Sequence, residues 1–343
     1  MFSKEELDAE IAAGNINAQT STVDDYTIYN YSAQAQYEYN WNDVTLQCRG
    51  LILDPDLNVV ARPFGKFFNY TERPTPNEAL DRRPTLTQEK VDGSLGIIYP
   101  SKEGYRVATR GSFHSNQAEW ATEWLNTTFP GFIQPEGVTT LVEIIYPENR
   151  IVVDYKGEKN LVLLTAIDNN TGADISPEEI DWWEGIRCRE WSASNIEEAY
   201  RLATSNEFND QEGLVCTWFK YGQPSLRLKI KHPEYVRLHR IMTNFSEKAL
   251  WEALSEGVDF LAMLDSVPDE FYTEISEKVS DYIDRYNQID VEIDSYFQDI
   301  KHLPRKQFAE EAKKKNYASA LFSMYDGKNH SNFIWKQLKP KAE

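Results

Sequence analysis

The feature of this 343-residue sequence that most restricts its fold is a change of period at Pro233. Before it, from about residue 45 to 232, apolar residues gather in short runs rich in β-branched and aromatic side chains, bounded by Pro, Gly, Asn and Asp, which is the mark of strands. LQCRGLILDPDLNVVARPF reads as a strand, a Pro-Asp turn and a second strand, and SLGIIYPSKEGYRVATRG reads as a hairpin closed by SKEG. TTLVEIIYP, RIVVDY, NLVLLTAID, EGLVCTWF and PSLRLKIK continue the series. Helical insertions are predicted at 116–129 and across ISPEEIDWWEGI through IEEAYRLATS. After Pro233, Phe271, Ile275, Val279, Tyr282, Tyr286, Ile289, Ile293, Tyr296 and Ile300 recur by threes and fours. That spacing lines one helix face and predicts a core-facing stripe. The expected architecture is an α+β domain with antiparallel sheets and helices over 1–240, followed by an all-α domain over 241–343.

A chain of this length suits two domains. Its longest apolar run, LVLLTAI at 161–167, falls far short of the ~20 residues that cross a bilayer. The opening MFSKEELDAEIAAG lacks the charged-then-apolar layout of a signal peptide, so a cytoplasmic protein with no membrane partner is expected. Cys48, Cys188 and Cys216 form no CxxC pair, and five histidines form no HExxH, which predicts buried, reduced thiols and no zinc site. The net charge of −19 argues at first against a polyanionic partner, but the charge is uneven. Residues 216–240 carry six Lys or Arg against one Glu, and 301–343 carry ten against four acids. These segments are the candidate electrostatic footprint, against the plainer reading of a solvated face.

The stretch EKVDGSLGIIYP holds Lys90, Asp92 and Gly93. K-x-D-G alone is weak, expected by chance in about one such chain in ten. A side-chain period of two puts Lys90 and Asp92 on one face, and Gly93 permits close backbone approach. A lysine nucleophile needs desolvation or neighbouring cations to give up its proton. LRLKIKHPEY supplies cations: Lys229 and Lys231 alternate onto one face with Leu228 and Ile230 facing the core, although lysines also guard edge strands. Glu143 and Glu212 lie in or beside apolar strands, where an unpaired carboxylate is costly, so each is expected to meet a cation, a ligand hydroxyl or a metal. Arg49 and Lys66, with Phe67 and Phe68 alongside, could hold a polyphosphate while an aromatic stacks on a base; two core phenylalanines are the plainer alternative.

The order Arg49, Lys66, Lys90-x-Asp92-Gly93, Glu143, Glu212-Gly213, Lys229-x-Lys231 resembles the nucleotidyltransferase motifs of covalent ligases and capping enzymes. With CRG, GKFFN, RGS and PENRIVVDY around them, the motifs look like the bacteriophage RNA ligase 1 family of tRNA-repair enzymes. RKQFAEEAKKK and ALFSMYDG extend the similarity toward the C-terminal helices. The resemblance implies an ATP-dependent RNA ligase in which Lys90 becomes adenylylated, adenylate passes to a 5′-phosphate RNA end, and a 3′-hydroxyl displaces AMP. It further implies that Glu143 binds the adenylate ribose and that Glu212 organises Lys90 and a hydrated metal. Lys229 and Lys231 would meet the α-phosphate, Arg49 and Lys66 the phosphates of ATP, and Tyr31, Phe68, Asp92 and Gly93 would help form the nucleotide pocket. Tyr235 matches an essential tyrosine, and Arg110 stands where the family has a lysine, a change that keeps charge and alters donor geometry. Asp259 is the nearest match to a metal-binding aspartate of the helical domain. Implied besides are Mg2+, with Mn2+ as substitute, a nicked tRNA anticodon loop recognised through the helical domain, a separate polynucleotide kinase/phosphatase, and a monomeric enzyme. A DNA ligase, an mRNA guanylyltransferase or an inactive RNA-binding scaffold are the competing readings.

Overall fold

A computed structural model describes residues 2–208, 210–242, 247–258 and 269–340. The chain divides into two compact units, Met1–Met242 and Thr243–Glu343.

The first unit holds three four-stranded sheets. β1 (Ile16–Thr20), β2 (Thr27–Tyr31), β3 (Arg49–Leu53) and β4 (Val59–Ala61) form an antiparallel sheet in sequence order. β5 (Phe68–Asn69) and β6 (Leu86–Glu89) leave their partners to the far end of the unit. β7 (Ser94–Ser101), β8 (Gly104–Ala108), β9 (Val138–Ile145) and β10 (Asn160–Asp168) make the second sheet in the order β10-β9-β7-β8, and Ser101 pairs with Gly104 in the expected hairpin. β11 (Gly213–Lys220) and β12 (Gln223–Lys231) then complete a third sheet ordered β5-β12-β11-β6.

Apolar faces decide how these layers stack. Ile28 and Ile52 of the first sheet pack with Ile97, Tyr99, Leu141 and Ile167 of the second in one buried cluster. The opposite face of the second sheet, with Ile98, Val142, Ile144 and Leu163, is covered by the helix Asn116–Thr128 through Ala121 and Leu125. The third sheet buries Leu214, Cys216, Leu228 and Ile230 under the helix Ile196–Ala203. Burial of these faces, at roughly 25 cal/mol per Å2 of apolar area, is the main force holding the layers.

Three sequence expectations change. RIVVDY is not a strand: residues 151–155 are irregular, and the amides of Val152 and Val153 donate to Asp92 Oδ2 at 2.8 and 2.7 Å instead of to a ladder. ISPEEIDWWEGI yields only a 3-10 turn at Pro177–Glu179, because the helix of that region begins at Ile196 behind its Asn195 cap. The lysines of KIK do not guard an edge, since β12 lies between β5 and β11. The N-terminal helix Lys4–Ala12, closed by a Ser3/Glu6 capping box, and strands β1 and β2 lie outside the region read from periodicity.

In the second unit the described elements are the helices Glu247–Ser255, Asp269–Ile300, Arg305–Ala312, Ala318–Tyr325 and Ser331–Gln337. The stripe on the long helix faces inward: Ile275, Val279, Tyr282, Ile293 and Ile300 are buried. Asp259 lies outside the described residues. Cys48, Cys188 and Cys216 are free and buried, and no described helix is long and apolar enough to cross a membrane.

Candidate active site

Strand register brings Lys90, Glu212 and Lys231 together. β6 pairs with β11 so that Glu89 faces Leu214, and the Lys90 amide continues the ladder by donating to Gly213 O at 2.8 Å. On the other side of β11, Gly213 faces Lys231 of β12. Glu212, one residue before β11, therefore sits between the two lysines. Lys90 Nζ donates to Glu212 Oε2 at 2.7 Å, and Lys231 Nζ lies 2.7 Å from Oε1. Gly213 is required here, since its φ is +145° and a Cβ would stand 1.9 Å from Ile230 O. Burial opposes the Glu212 charge, but Lys231 and Lys90 outweigh it and hold the carboxyl below its ordinary range.

The second carboxylate, Glu143, projects from the middle of β9, opposite Leu95 of β7. Burial dominates there. Even with the Lys90 ammonium nearby, and with Glu212 and Asp92 adding repulsion, its pKa is pushed up to about 8. Gly93 makes the close approach possible: a Cβ on it would lie 2.5 Å from Ile144 O and 3.1 Å from Glu143 Cγ.

Asp92 does something other than the period-two reading suggested. The strand ends at Glu89, and Asp92 turns inward to 2% exposure. Its carboxylate accepts from the Val152 and Val153 amides and from Tyr235 Oη at 2.7 Å, while its own amide donates to Tyr155 Oη at 2.8 Å. Asp92 and the 3%-exposed Tyr235 thus tie the loop after β6 to the 152–153 segment and to the helix Pro233–Met242. Tyr155 and the two amides were not legible beforehand, because the chain between them is irregular.

The expected phosphate-binding cations gather on aromatic rings. Arg49 at the start of β3 lies over Phe64 and Phe67, at 5.1 and 5.6 Å from the ring centroids. Lys66 Nζ lies 5.2 Å from the Tyr31 ring, 5.3 Å from Trp41 and 5.6 Å from Phe68. Arg110 NH1 donates to Tyr31 Oη at 3.2 Å, so Tyr31 links Arg110 with Lys66. Lys229, 6% exposed, has its Nζ 5.9 Å from the Phe67 ring. Each distance lies within cation–π range. Phe67 and Phe68 are half-buried and support cations, a use that neither the base-stacking nor the core reading anticipated. The sequence reading also stopped the row of cations on β12 at Lys229, although alternation carries it on to Arg227.

Chemically, the site offers an amine on a fixed loop, a carboxylate bridging it to a second ammonium, and further cations arrayed for a polyanion. Among the described residues no group of three or more His, Cys, Asp or Glu forms a metal cage. Glu212, held as an anion, suits a cation that keeps most of its waters, as Mg2+ does.

A family model described as RNA ligase, of the bacteriophage T4 RNA ligase 1 type, matches residues 47–235, more than half of the chain. An RNA ligase of Rhodothermus phage RM378 is 25% identical over 357 aligned residues, covering 82% of this chain and 79% of that protein. A Thermovibrio ammonificans protein carrying an RNA ligase name is 34% identical over 196 residues, covering 54% of this chain and 50% of that one, so the match spans about half its length. Among solved structures, an Aquifex aeolicus protein described as an ATP-dependent DNA ligase superposes with a TM-score of 0.50 at 16% identity, covering 81% of this chain and 71% of that one, a likeness of fold. A matched segment that runs from the strand bearing Arg49 to the helix bearing Tyr235, and so encloses Lys90, both glutamates and the KIK strand, places the chain in the RNA ligase family.

Proposed function

We propose that the protein is an ATP-dependent RNA ligase that joins 5′-phosphate and 3′-hydroxyl ends through a lysyl-AMP intermediate. The observation that carries this reading is the Lys90–Glu212–Lys231 bridge, which fixes an amine beside a second ammonium at the end of a sheet. In the first step the Lys90 ammonium releases a proton to solvent, its Nζ forms a bond to the α-phosphorus of ATP, and the bond to pyrophosphate breaks with its electron pair leaving on pyrophosphate. Glu212 orients Lys90 beforehand, and Lys231 and Lys229 offset the charge that builds on the α-phosphate. Arg49, Lys66 and Arg110 receive the outer phosphates, and Glu143 meets the ribose. A bound magnesium ion, or manganese in its place, would be held through water by Glu212 and would supply charge neutralisation on the phosphates.

Adenylate then passes to the RNA 5′-phosphate, and attack by the 3′-hydroxyl releases AMP. The helical unit after residue 243, read as an all-α domain with basic residues from 301 onward, is assigned the choice of RNA, with a nicked tRNA anticodon loop as the substrate. Ends of other chemistry would first be healed by a separate polynucleotide kinase/phosphatase.

The test is peptide mapping after incubation with α-labelled ATP and magnesium. AMP is expected on Lys90, and Lys90→Ala is expected to abolish labelling, since the amine that forms the bond is gone, while still sealing a supplied pre-adenylylated RNA. Label accepted only from GTP, sealing confined to DNA, or normal ligation by Lys90→Ala would each overturn the reading.

A further inference from the structure

Arg227 continues the alternation of Lys229 and Lys231 on β12, but its surroundings differ. Its side chain is 8% exposed and forms an ion pair with Asp174, which is 1% exposed and also accepts from Thr165 Oγ1 at 3.1 Å. A guanidinium so buried and so paired is not aimed at a substrate phosphate. It does make one contact that leads to the site: its Cζ lies 5.0 Å from the centroid of Phe64. The same ring lies 5.1 Å from Arg49 Cζ. Phe64 in turn packs edge-on against Phe67 at 5.5 Å, and Phe67 carries Arg49 at 5.6 Å and Lys229 at 5.9 Å.

The result is a continuous ladder in which a buried ion pair anchors one ring and that ring supports a cation of the phosphate site. We propose that Arg227, held by Asp174, acts through Phe64 to position Arg49, so that these three residues set the affinity for the phosphate tail of a nucleoside triphosphate without touching it. The proposal rests on the ligase reading above and adds positioning residues to it. The physical reason is geometric. A long arginine side chain carries about 2 kcal/mol of rotamer entropy, and a ring fixed from behind removes much of the wandering that would otherwise have to be frozen when the triphosphate binds.

The experiment compares wild type, Phe64→Leu, Phe64→Trp, Arg49→Gln and the Phe64→Leu/Arg49→Gln double variant. The reads are ATP-dependent Lys90 labelling and, separately, sealing of pre-adenylylated RNA, which has no outer phosphates. Phe64→Leu leaves the Arg227–Asp174 pair whole and keeps the position apolar. It is expected to raise the KM for ATP about fivefold, the factor of a partly desolvated cation–π contact, with kcat and sealing of pre-adenylylated RNA changed less than about twofold. Phe64→Trp is expected to restore the KM. The double variant should be no worse than Arg49→Gln alone, because residues in one contact chain do not act additively. Replacing both members of the anchor, Arg227→Gln with Asp174→Asn, should reproduce the KM effect. An unchanged KM in Phe64→Leu, losses that multiply in the double variant, or an equal loss in both assays would overturn the proposal. Wild type that takes no label from ATP would instead overturn the underlying ligase reading.

Discussion

Glu212, just before β11, and Glu143, in the middle of β9, are the two glutamates beside Lys90, and their surroundings push them in opposite directions. Glu212 is 3% exposed yet stays ionised, because Lys231 and Lys90 each place an ammonium 2.7 Å from one of its oxygens. Glu143 meets Lys90 less directly, shares the neighbourhood with two other carboxylates, and takes up a proton near pH 8. Burial penalises both; the number of cations in contact decides which keeps its charge. The lesson is that one pocket can hold a permanent anion and a neutral acid side by side. The first suits orienting an amine, and the second suits offering a hydrogen bond to a sugar hydroxyl.

Glu212→Gln breaks this comparison most severely. It removes the anion that two ammonium groups share at a buried position, where taking one partner from such a pair costs about 3–5 kcal/mol. The expected outcome is a drop in Tm together with a fall of about a hundredfold in Lys90 labelling, the size of effect seen when a preorganised charge at a reacting centre is lost. Labelling close to wild type would mean that the register of β6, β11 and β12 alone is enough to hold Lys90.

The steric side of the comparison is probed by Gly93→Ala. The added Cβ would meet Ile144 O at 2.5 Å and Glu143 Cγ at 3.1 Å. A carbonyl within a sheet cannot step aside, so the loop or the glutamate must move, at about 1–3 kcal/mol. Labelling should fall about tenfold, with a smaller loss of Tm than in Glu212→Gln. If labelling and Tm were both unchanged, the packing of Gly93 against β9 would not be what sets the place of Glu143.

Much of this site could be read from residue order, and the reason is register. Lys90, Glu212, Lys229 and Lys231 are each within two residues of a strand end or inside a strand, so the period of two and the pairing of β6, β11 and β12 carry them to one place. The strands and the buried stripe of the long helix were legible for the same reason. What escaped was held by contacts that period does not encode. RIVVDY has the composition of a strand, but its amides are taken by Asp92, a residue 60 positions earlier. Alternation put Lys90 and Asp92 on one face, but the strand ends at Glu89 and the loop after it turns Asp92 inward. The aromatic supports of Arg49 and Lys66 come from Phe64, Tyr31 and Trp41, residues whose proximity depends on how the first sheet and its loops fold back.

The smallest effect on labelling, and the most diagnostic, belongs to Glu143→Gln, which fixes the glutamate in its neutral shape. In the folded chain the carboxyl titrates near 8, against 4.5 for an ordinary glutamate, so between those values the folded state holds a proton that the unfolded state has lost. A raised acid of this kind stabilises the fold fully below 4.5, and the contribution is lost as pH climbs to about 8. The groups that set this balance are Lys90 and Arg49 on the cationic side and Glu212 and Asp92 on the anionic side. The glutamine variant does not titrate. The difference in Tm, variant minus wild type, should therefore grow steadily from pH 5 to pH 8 and level off above it, each pH unit in that window counting for about 1.4 kcal/mol, with about 2–4 °C of Tm for each kcal/mol in a unit of this size. Labelling of Lys90 at pH 7 should stay within about threefold of wild type, since both proteins then present a neutral group to the ribose. A Tm difference that is flat from pH 5 to 9 would mean that Glu143 titrates like an ordinary glutamate, and the two carboxylates would then share one role.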